Sequence, residues 1–266
     1  MSDISEVKAL VFDVFGTVVD WRTSLIADFT AWGERRGIRA DWTALVDGWR
    51  AVYAASMDEV RKHPERGYVI LDVLHRRSLE RLVEQLSISG LNDADLHYLT
   101  MGWHRLRPWP DSVAGLARLK AKYIIGPLSN GNVALLTEMA KFAGLPWDLI
   151  LSAELFEHYK PDPETYLGAA RLLCLPPAQV MMVAAHNHDL RAAQKLGLKT
   201  AFVARPAEYG PLQKYDLKAA QKLGLKTAFV ARPTEYGPLQ KYDFEAKGDW
   251  DIVAKDFGGV ADRMGC

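Results

Sequence analysis

Apolar positions along the chain follow two different periods, and the change between them divides the sequence into a helical part and an alternating part. From about residue 21 to residue 103, apolar residues recur every three or four positions, which indicates amphipathic helices. The clearest stripe contains Trp42, Leu45 and Trp49, and Asp41 directly before it is a suitable N-cap residue. The pattern predicts a helix that begins at residue 42.

Outside the helical part, short apolar runs alternate with helical segments. The first run, from Lys8 to Phe12, predicts a buried strand that carries Asp13 into a turn at Gly16 and Thr17. Further strands are predicted at 123–128, 148–152, 180–185 and 251–254, and helices at 133–142 and 164–173. Such alternation implies a parallel sheet with helices on both faces.

We therefore predict an α/β fold with a Rossmann-like core and an inserted helical cap. The core is expected to comprise residues 1–20 and 107–266, and the cap residues 21–106. The cap would be an insertion because the helical part lies between the first and second predicted strands.

Two nearly identical segments follow each other near the end of the chain. Residues 189–215 and 216–242 differ only at Arg191/Lys218 and Ala207/Thr234, and each has the pattern of one helix and one strand. Repeat proteins need about three or more units to bury a shared core, so we interpret 216–242 as a spare, duplicated αβ unit. It is expected to extend the sheet or to pack outside it, although the near-identity leaves the opposite assignment of the two copies open.

Composition excludes several classes of function. The 33 Lys and Arg residues balance the 33 Asp and Glu residues, so the chain lacks the charge excess of a nucleic-acid or anionic-membrane binder. No apolar run reaches the roughly 18 residues that a membrane span needs, and the N-terminus has no apolar signal stretch. Cys174 and Cys266 lack metal-binding spacing and fit a reducing compartment. We expect a cytoplasmic protein with no nucleic-acid or membrane partner.

Polar residues follow the predicted strands at the ends where parallel sheets bind ligands. Asp13 ends the first strand, Ser129 and Asn130 end the second, Lys160 comes after the third, and the segment 186–189 follows the fourth. Because such sheets hold their active sites beyond the carboxyl ends of the strands, we expect these residues around one cleft under the cap. Taken singly, each is equally consistent with a turn or a helix start.

Four sequence stretches contain these polar residues, and together they are more specific than any single residue. They are Val11-Phe12-Asp13-Val14-Phe15-Gly16-Thr17, Leu128-Ser129-Asn130-Gly131, Tyr159-Lys160-Pro161-Asp162 and Val183-Ala184-Ala185-His186-Asn187-His188-Asp189. In this order they resemble the motifs of the haloacid dehalogenase superfamily, and the chain is similar to its L-2-haloacid dehalogenase (type II) branch.

The resemblance implies an enzyme that acts on carbon-halide bonds. An (S)-2-haloacid dehalogenase of this kind converts a short 2-haloalkanoic acid into a 2-hydroxy acid and halide through a covalent aspartyl ester. The implied partner is a small-molecule 2-haloacid, with no cofactor, and a homodimer is left open.

The position two residues after Asp13 separates this branch from phosphatases of the superfamily. Those enzymes carry there a second Asp, which protonates the leaving alkoxide and helps to bind magnesium, whereas this chain carries Phe15. A halide leaves without a proton, and Asp189 is the one acid of the last motif. Both features indicate metal-free chemistry, with Phe15 in the substrate site. A phosphatase or phosphonatase of the same fold, or a catalytically silent member, is the alternative.

The resemblance also implies a role for each residue of the core motifs. Asp13 would attack the halogen-bearing carbon, and Lys160 would keep it ionised because a nearby cation favours a carboxylate. Thr17 and Ser129 would hold the nucleophile or the substrate carboxylate by hydrogen bonds, and Asn130 would orient that loop.

Further roles come from single positions outside or beside these motifs. Tyr166 matches an active-site tyrosine of the family, and Asp189 counts among the catalytic residues. The pair Trp49-Arg50 matches the Trp and Arg whose arginine holds the halide, although a solvated Arg on a helix is the commoner arrangement.

His186 departs from the family, whose better-known members have Asn at this position. Since a His can accept a proton near neutral pH, His186 is a candidate to activate the hydrolytic water, with Asp20 as the residue that orients it. A His that only forms hydrogen bonds in the cleft is the alternative.

Overall fold

The centre of the fold is a parallel β-sheet. In the computed structural model, which describes residues 4–203, 246 and 250–266, the strands are β1 (Ala9–Phe12), β2 (Val19–Asp20), β3 (Arg107–Pro108), β4 (Ile124–Ser129), β5 (Leu151–Ser152), β6 (Val180–Ala184), β7 (Lys199–Val203) and β8 (Ile252–Ala254). Six of them form one parallel sheet in the order β5-β4-β1-β6-β7-β8. All residues of β1 and β6 are buried, as is typical of strands in a covered parallel sheet. The predicted α/β fold with a parallel sheet is confirmed.

Helices occupy the connections between these strands. Those that the structure describes are α1 (Trp21–Arg36), α2 (Trp42–Lys62), α3 (Leu71–Gln85), α4 (Asp93–Thr100), α5 (Ser112–Lys120), α6 (Val133–Ala143), α7 (Pro163–Leu172), α8 (Asn187–Lys195) and α9 (Phe257–Arg263). None of them is long and apolar enough to cross a membrane.

One predicted strand is shorter in the structure than the sequence indicates. Of the predicted strand 148–152, only Leu151 and Ser152 pair with β4. The carboxylate of Asp148 accepts the backbone N–H of Ile125 at 2.9 Å, and the Asp148 N–H donates to the Ile125 carbonyl. This side-chain contact replaces regular strand pairing before residue 151.

The first repeat copy enters the sheet through α8 and β7. Strand β7 pairs in parallel with β6 on one side, where Met181 lies opposite Lys199, and with β8 on the other, where Ala201 lies opposite Ile252. Both edges of β7 are therefore occupied by other described strands. The second copy, 216–242, lies outside the described residues, and its interpretation as a spare unit stays a prediction.

The helices α1 to α4 form one segment between β1 and β4. The chain enters this segment through β2 and leaves it through β3, and these two strands pair antiparallel, with Asp20 opposite Arg107. The segment therefore begins and ends at adjacent points. The predicted N-cap of α2 is confirmed, because Asp41 Oδ1 accepts the N–H of Ala44 at 2.8 Å.

An aromatic cluster joins the helical segment to the loop after β1. The fully buried ring of Trp103 stacks on Trp21 and on His75, with centroid distances of 6.2 Å and 4.4 Å. Phe15 and Trp49 meet the same ring edge-on, both at 5.7 Å. Burial lowers the pKa of His75 to about 3, so its imidazole is neutral and acts as a further aromatic ring of the cluster.

A polar junction joins the helical segment to α6. The buried ring of His104 contacts Glu138 through Nδ1 at 2.9 Å and Asp72 through Nε2 at 3.1 Å. Asp72 also accepts the side-chain N–H of Asn132 at 2.9 Å. Burial alone would lower the pKa of His104, but Asp72 and Glu138 outweigh it and raise this pKa above its ordinary value. Protonated His104 donates through both ring nitrogens, which the two carboxylates require.

We expect His104 to stabilise the fold in a pH-dependent way. Its contribution should be complete below the ordinary histidine pKa of about 6.5 and should disappear as the pH rises through its raised folded-state pKa. The substitution His104→Gln should therefore cost about 1–3 kcal/mol at low pH, measured by denaturant unfolding, and less at high pH. His97→Gln, which removes a histidine from an exposed position of α4, is measured alongside as the control. A wild-type to His104→Gln difference that is constant with pH would contradict a charged His104.

Candidate active site

The loop after β1 brings Asp13 to the carboxyl end of the sheet. The Asp13 N–H donates to the carbonyl of Val183 at 3.0 Å, which holds this residue beside the end of β6. Gly16 turns the chain with a φ of 84°, in the region that favours glycine. The turn lets Thr17 donate its hydroxyl to Asp13 Oδ2 at 2.7 Å and accept the Ala185 N–H at 2.8 Å. Thr17 thus ties the loop after β1 to the end of β6.

Lys160 lies between two buried carboxylates. Its Nζ is 3.0 Å from Asp13 Oδ1 and 2.5 Å from Asp189 Oδ2. The Lys160 backbone N–H donates to Asn130 Oδ1 at 2.8 Å, so the loop after β4 fixes the position of the loop that carries Lys160. The ammonium group of Lys160 therefore links the segments after β1 and β6, and its backbone N–H links the same residue to the loop after β4.

The electrostatics of this group keep Asp13 ionised. Burial alone raises the pKa of the Asp13 carboxyl, but the charge of Lys160 and the hydrogen bonds from His186 and Thr17 outweigh it and hold this pKa well below its usual range. Burial lowers the pKa of Lys160, and the carboxylates of Asp13 and Asp189 reverse this and raise it above its ordinary value. At neutral pH the site contains an ammonium and an ionised Asp13.

Tyr166 and His186 complete the hydrogen bonds of the two carboxylates. Tyr166 on α7 donates its hydroxyl to Asp189 Oδ1 at 2.5 Å, and burial followed by the charge of Asp189 raises its pKa well above the ordinary value. His186 is the N-cap residue of α8, and its buried Nδ1 lies 3.0 Å from Asp13 Oδ2. Because the ionised Asp13 carboxylate only accepts hydrogen bonds, Nδ1 carries the proton of this contact.

A cavity of about 460 Å³ opens onto these residues. Its lining combines the polar group around Asp13 with one face of α2 and a few apolar residues: Asp13, Phe15, Arg50, Ala51, Tyr53, Ala54, Met57, Asp58, Arg61, Asn130, Lys160, Pro161, Tyr166, His186, His188 and Asp189. The cavity thus lies between the carboxyl end of the sheet and the helical segment.

Arg50 reaches this cavity over aromatic rings. Its guanidinium carbon lies 4.4 Å from the centroid of Tyr53 and 5.2 Å from that of Trp21. Such cation–π contacts hold an arginine in one position. The half-buried Arg50 therefore differs from the solvated helix residue that was the alternative interpretation.

The structure places three predicted site residues outside the cavity lining. Thr17 lies directly behind Asp13. Ser129 is fully buried, and its Oγ accepts the N–H of Gly131 at 3.2 Å, so it shapes the loop that carries Asn130. Asp20 caps α1, where its Oδ1 accepts the Thr23 N–H at 3.0 Å, and its predicted role in orienting His186 stays a prediction.

Sequence reasoning missed the residues of α2 beyond Arg50. Tyr53, Met57, Asp58 and Arg61 line the cavity because they lie 3, 7, 8 and 11 residues after Arg50 and so share one helix face. Projecting the helix from Arg50 would have found them. His188 also lines the cavity, although the motif that contains it assigned it no role.

Arg61 links the helical segment to the other side of the cavity. Its guanidinium donates to Asp162, the N-cap residue of α7, at 2.6 Å and 2.9 Å, and to Asp58 on its own helix at 2.8 Å. A second link lies nearby, where the Tyr159 hydroxyl donates to the Val69 carbonyl at 2.6 Å. Both links fix α2 and the segment after it relative to the loop that carries Lys160.

Comparison with known proteins identifies the family. The model of the haloacid dehalogenase-like hydrolases matches residues 7–197. The (S)-2-haloacid dehalogenase of Xanthobacter autotrophicus is 29% identical over 210 residues, which cover 75% of this chain and 76% of that protein.

Two solved structures are similar over almost the whole length. The L-2-haloacid dehalogenase PA0810 has a TM-score of 0.84 and 46% identity, covering 97% of this chain and 99% of that one. The defluorinating L-2-haloacid dehalogenase Rha0230 has a TM-score of 0.84 and 42% identity, covering 98% of this chain and 96% of that one. The chain belongs to the haloacid dehalogenase-like hydrolases.

Proposed function

We propose that this chain is a hydrolytic (S)-2-haloacid dehalogenase that uses Asp13 as its nucleophile. The observation that carries the proposal is the ionised Asp13 carboxylate, held by Lys160, His186 and Thr17 at a cavity that Arg50 also lines. The similarity to dehalogenases over almost the whole chain supports the same reaction.

In the first step, a carboxylate oxygen of Asp13 attacks C2 of the substrate from the side opposite the halogen. A C–O bond forms, the carbon–halogen bond breaks, and the halide leaves with the electron pair. The negative charge thus moves from Asp13 to the halide, which the Arg50 guanidinium stabilises. Phe15 offers an apolar wall and no acid, and a leaving halide requires no proton.

In the second step, water adds to the carboxyl carbon of the Asp13 ester. The oxygen that remains a carbonyl keeps its hydrogen-bond donors, which stabilise the charge that develops on it. His186 accepts one proton of the water and returns it to the alkoxide oxygen as the ester C–O bond breaks, and the 2-hydroxy acid leaves with inverted configuration. The other water proton stays on the new Asp13 carboxyl group and passes to solvent, because the ammonium of Lys160 favours ionised Asp13.

The helical segment α1 to α4 serves as a cap in this proposal. It supplies Arg50 and the α2 face to the cavity, and the Arg61 to Asp162 contact holds it against the sheet side. The cap limits access of bulk water, so that the charge shift takes place among fixed dipoles and charges.

We expect Asp13→Asn to abolish halide release from (S)-2-chloropropionate while the protein stays folded. The amide has nearly the same shape and is a poor nucleophile. Halide release is measured together with circular dichroism and mass spectrometry, which excludes deamidation. Magnesium-dependent release of phosphate from phosphate esters, with no halide release by the wild type, would favour the phosphatase alternative.

A single turnover in ¹⁸O-labelled water separates the covalent route from direct hydrolysis. In the covalent route the water oxygen is expected in the Asp13 carboxylate, because water attacks its carboxyl carbon. Peptide mass spectrometry locates the label. Label found only in the hydroxy acid would show that water attacks C2 directly.

We expect Arg50→Ala to lower kcat by at least roughly a hundredfold, since the loss of one group that stabilises developing charge typically costs about 10²–10³ in rate. The control is Lys62→Ala, which removes one positive charge from an exposed position of the same helix. Similar rates in the two variants would show that Arg50 has no role in halide departure.

We expect His186→Asn to slow ester hydrolysis more than ester formation, because only the water step needs a base. The Asp13 ester should then accumulate during turnover and appear in the intact-protein mass spectrum. His188→Asn is the matched control, since His188 lines the same cavity with its ring centroid 5.6 Å from that of His186. Equal ester levels in both variants would leave His186 with a hydrogen-bonding role alone.

A further inference from the structure

We infer that Ala51, Ala54 and Met57 of α2 form a subsite for the side chain of the substrate. This α2 wall would make the enzyme prefer 2-haloacids with a butyl-sized apolar group on C2 over haloacetates and 2-halopropionates. The inference rests on the proposed dehalogenase function and specifies its substrate class.

The cavity is larger than a short haloacid requires. At the ~30 Å³ that one water molecule takes up in the liquid, the five or six heavy atoms of a haloacetate or 2-chloropropionate fill roughly 150–180 Å³. The cavity volume is about 460 Å³. Space for a substituent and for the hydrolytic water therefore remains after the reacting atoms and the carboxylate are in place.

The α2 wall lies in the extra space. Arg50 and Arg61 both line the cavity. At about 1.5 Å of rise per residue, they are separated by roughly 16 Å along the axis of α2. Ala54 and Met57 occupy the turns between these two arginines. Because alanine has the smallest side chain apart from glycine, the wall recedes at the positions next to Arg50.

The chemistry of this space favours an alkyl group. The α2 wall itself is apolar, and Phe15, Tyr53 and Pro161 add further carbon surface to the lining. Methionine adapts its shape to an alkyl chain because its side chain is unbranched and flexible.

The charges at the far end disfavour a second carboxylate on the substrate. Arg61 already donates to both Asp162 and Asp58, so one guanidinium is shared by two carboxylates. A distal carboxylate would compete with them and meet their repulsion, whereas an alkyl chain leaves the ion pairs intact.

A substrate series tests the size of the subsite. The kcat/KM for halide release is measured for bromoacetate, (S)-2-bromopropionate, (S)-2-bromobutanoate and (S)-2-bromohexanoate with the full-length protein. We expect the kcat/KM of (S)-2-bromohexanoate to exceed that of (S)-2-bromopropionate by at least roughly fourfold, since each buried methylene is worth about fourfold. A value for (S)-2-bromohexanoate equal to or below that for (S)-2-bromopropionate overturns the inference.

A pair of variants tests the position of the subsite. Ala54→Leu puts three more carbon atoms into the α2 wall, and Ala55→Leu puts the same atoms on the neighbouring position. Both alanines are exposed, but only Ala54 lines the cavity. Both substitutions suit a helix. The ratio of kcat/KM for (S)-2-bromohexanoate to that for bromoacetate should fall roughly tenfold or more in Ala54→Leu, as expected for two or more displaced methylenes.

The experiments distinguish a failure of the proposed subsite from a failure of the proposed dehalogenase function. An unchanged ratio in Ala54→Leu, or an equal fall in Ala55→Leu, overturns the subsite while the dehalogenase function stands. If the wild type releases no halide from any member of the series, the proposed function itself fails.

Discussion

The arrangement of the site depends on one buried ammonium group between two buried carboxylates. Removing three charges from water is costly, and removing one partner would leave an unpaired charge. Lys160 meets Asp13 at 3.0 Å and Asp189 at 2.5 Å, and His186, Thr17 and Tyr166 supply donors to the remaining carboxylate oxygens. The cation offsets the desolvation that would otherwise protonate Asp13. The segments after β1, β5 and β6 must therefore stay in register for Asp13 to remain charged.

Charge balance explains how this site accepts an anionic substrate. Asp13, Asp189 and Lys160 together carry one net negative charge, which would repel a carboxylate. Arg50 neutralises it from the opposite wall, where Tyr53 and Trp21 fix the guanidinium. In the proposed mechanism, the negative charge of Asp13 passes to the halide when the ester forms, so the total charge of the cavity is conserved. Helix packing holds Arg50 at the cavity, where the proposal assigns it to the halide.

The two sides of the cavity are joined by contacts of different chemistry. The aromatic cluster around Trp103 packs the helical segment onto Phe15, two residues after Asp13. His104 joins the same segment to α6 through Asp72 and Glu138, and Arg61 joins α2 to Asp162. Because these contacts hold the helical segment against the sheet side at several points, they fix Arg50 relative to Asp13.

The sequence by itself determined the features that depend on local patterns. Apolar runs and turn residues predicted the parallel sheet, and the four motifs predicted Asp13, Lys160 and Asp189 at its edge, where the structure brings them together. Local strand and turn chemistry suffices there because parallel strands bring their carboxyl ends to one edge. The roles of Asp20 and of residues 216–242 stay predictions.

Only the tertiary structure decided which side chains complete the cavity and hold the helical segment. Asp72 meets Asn132, and Arg61 meets Asp162, across 60 and 101 positions of the chain. No local period encodes such pairs, because they follow from the angle at which two packed elements meet. The space that the small side chain of Ala54 leaves in the cavity likewise depends on which residues lie opposite it. The sequence determined the reactive groups, and packing between distant segments decided the space around them.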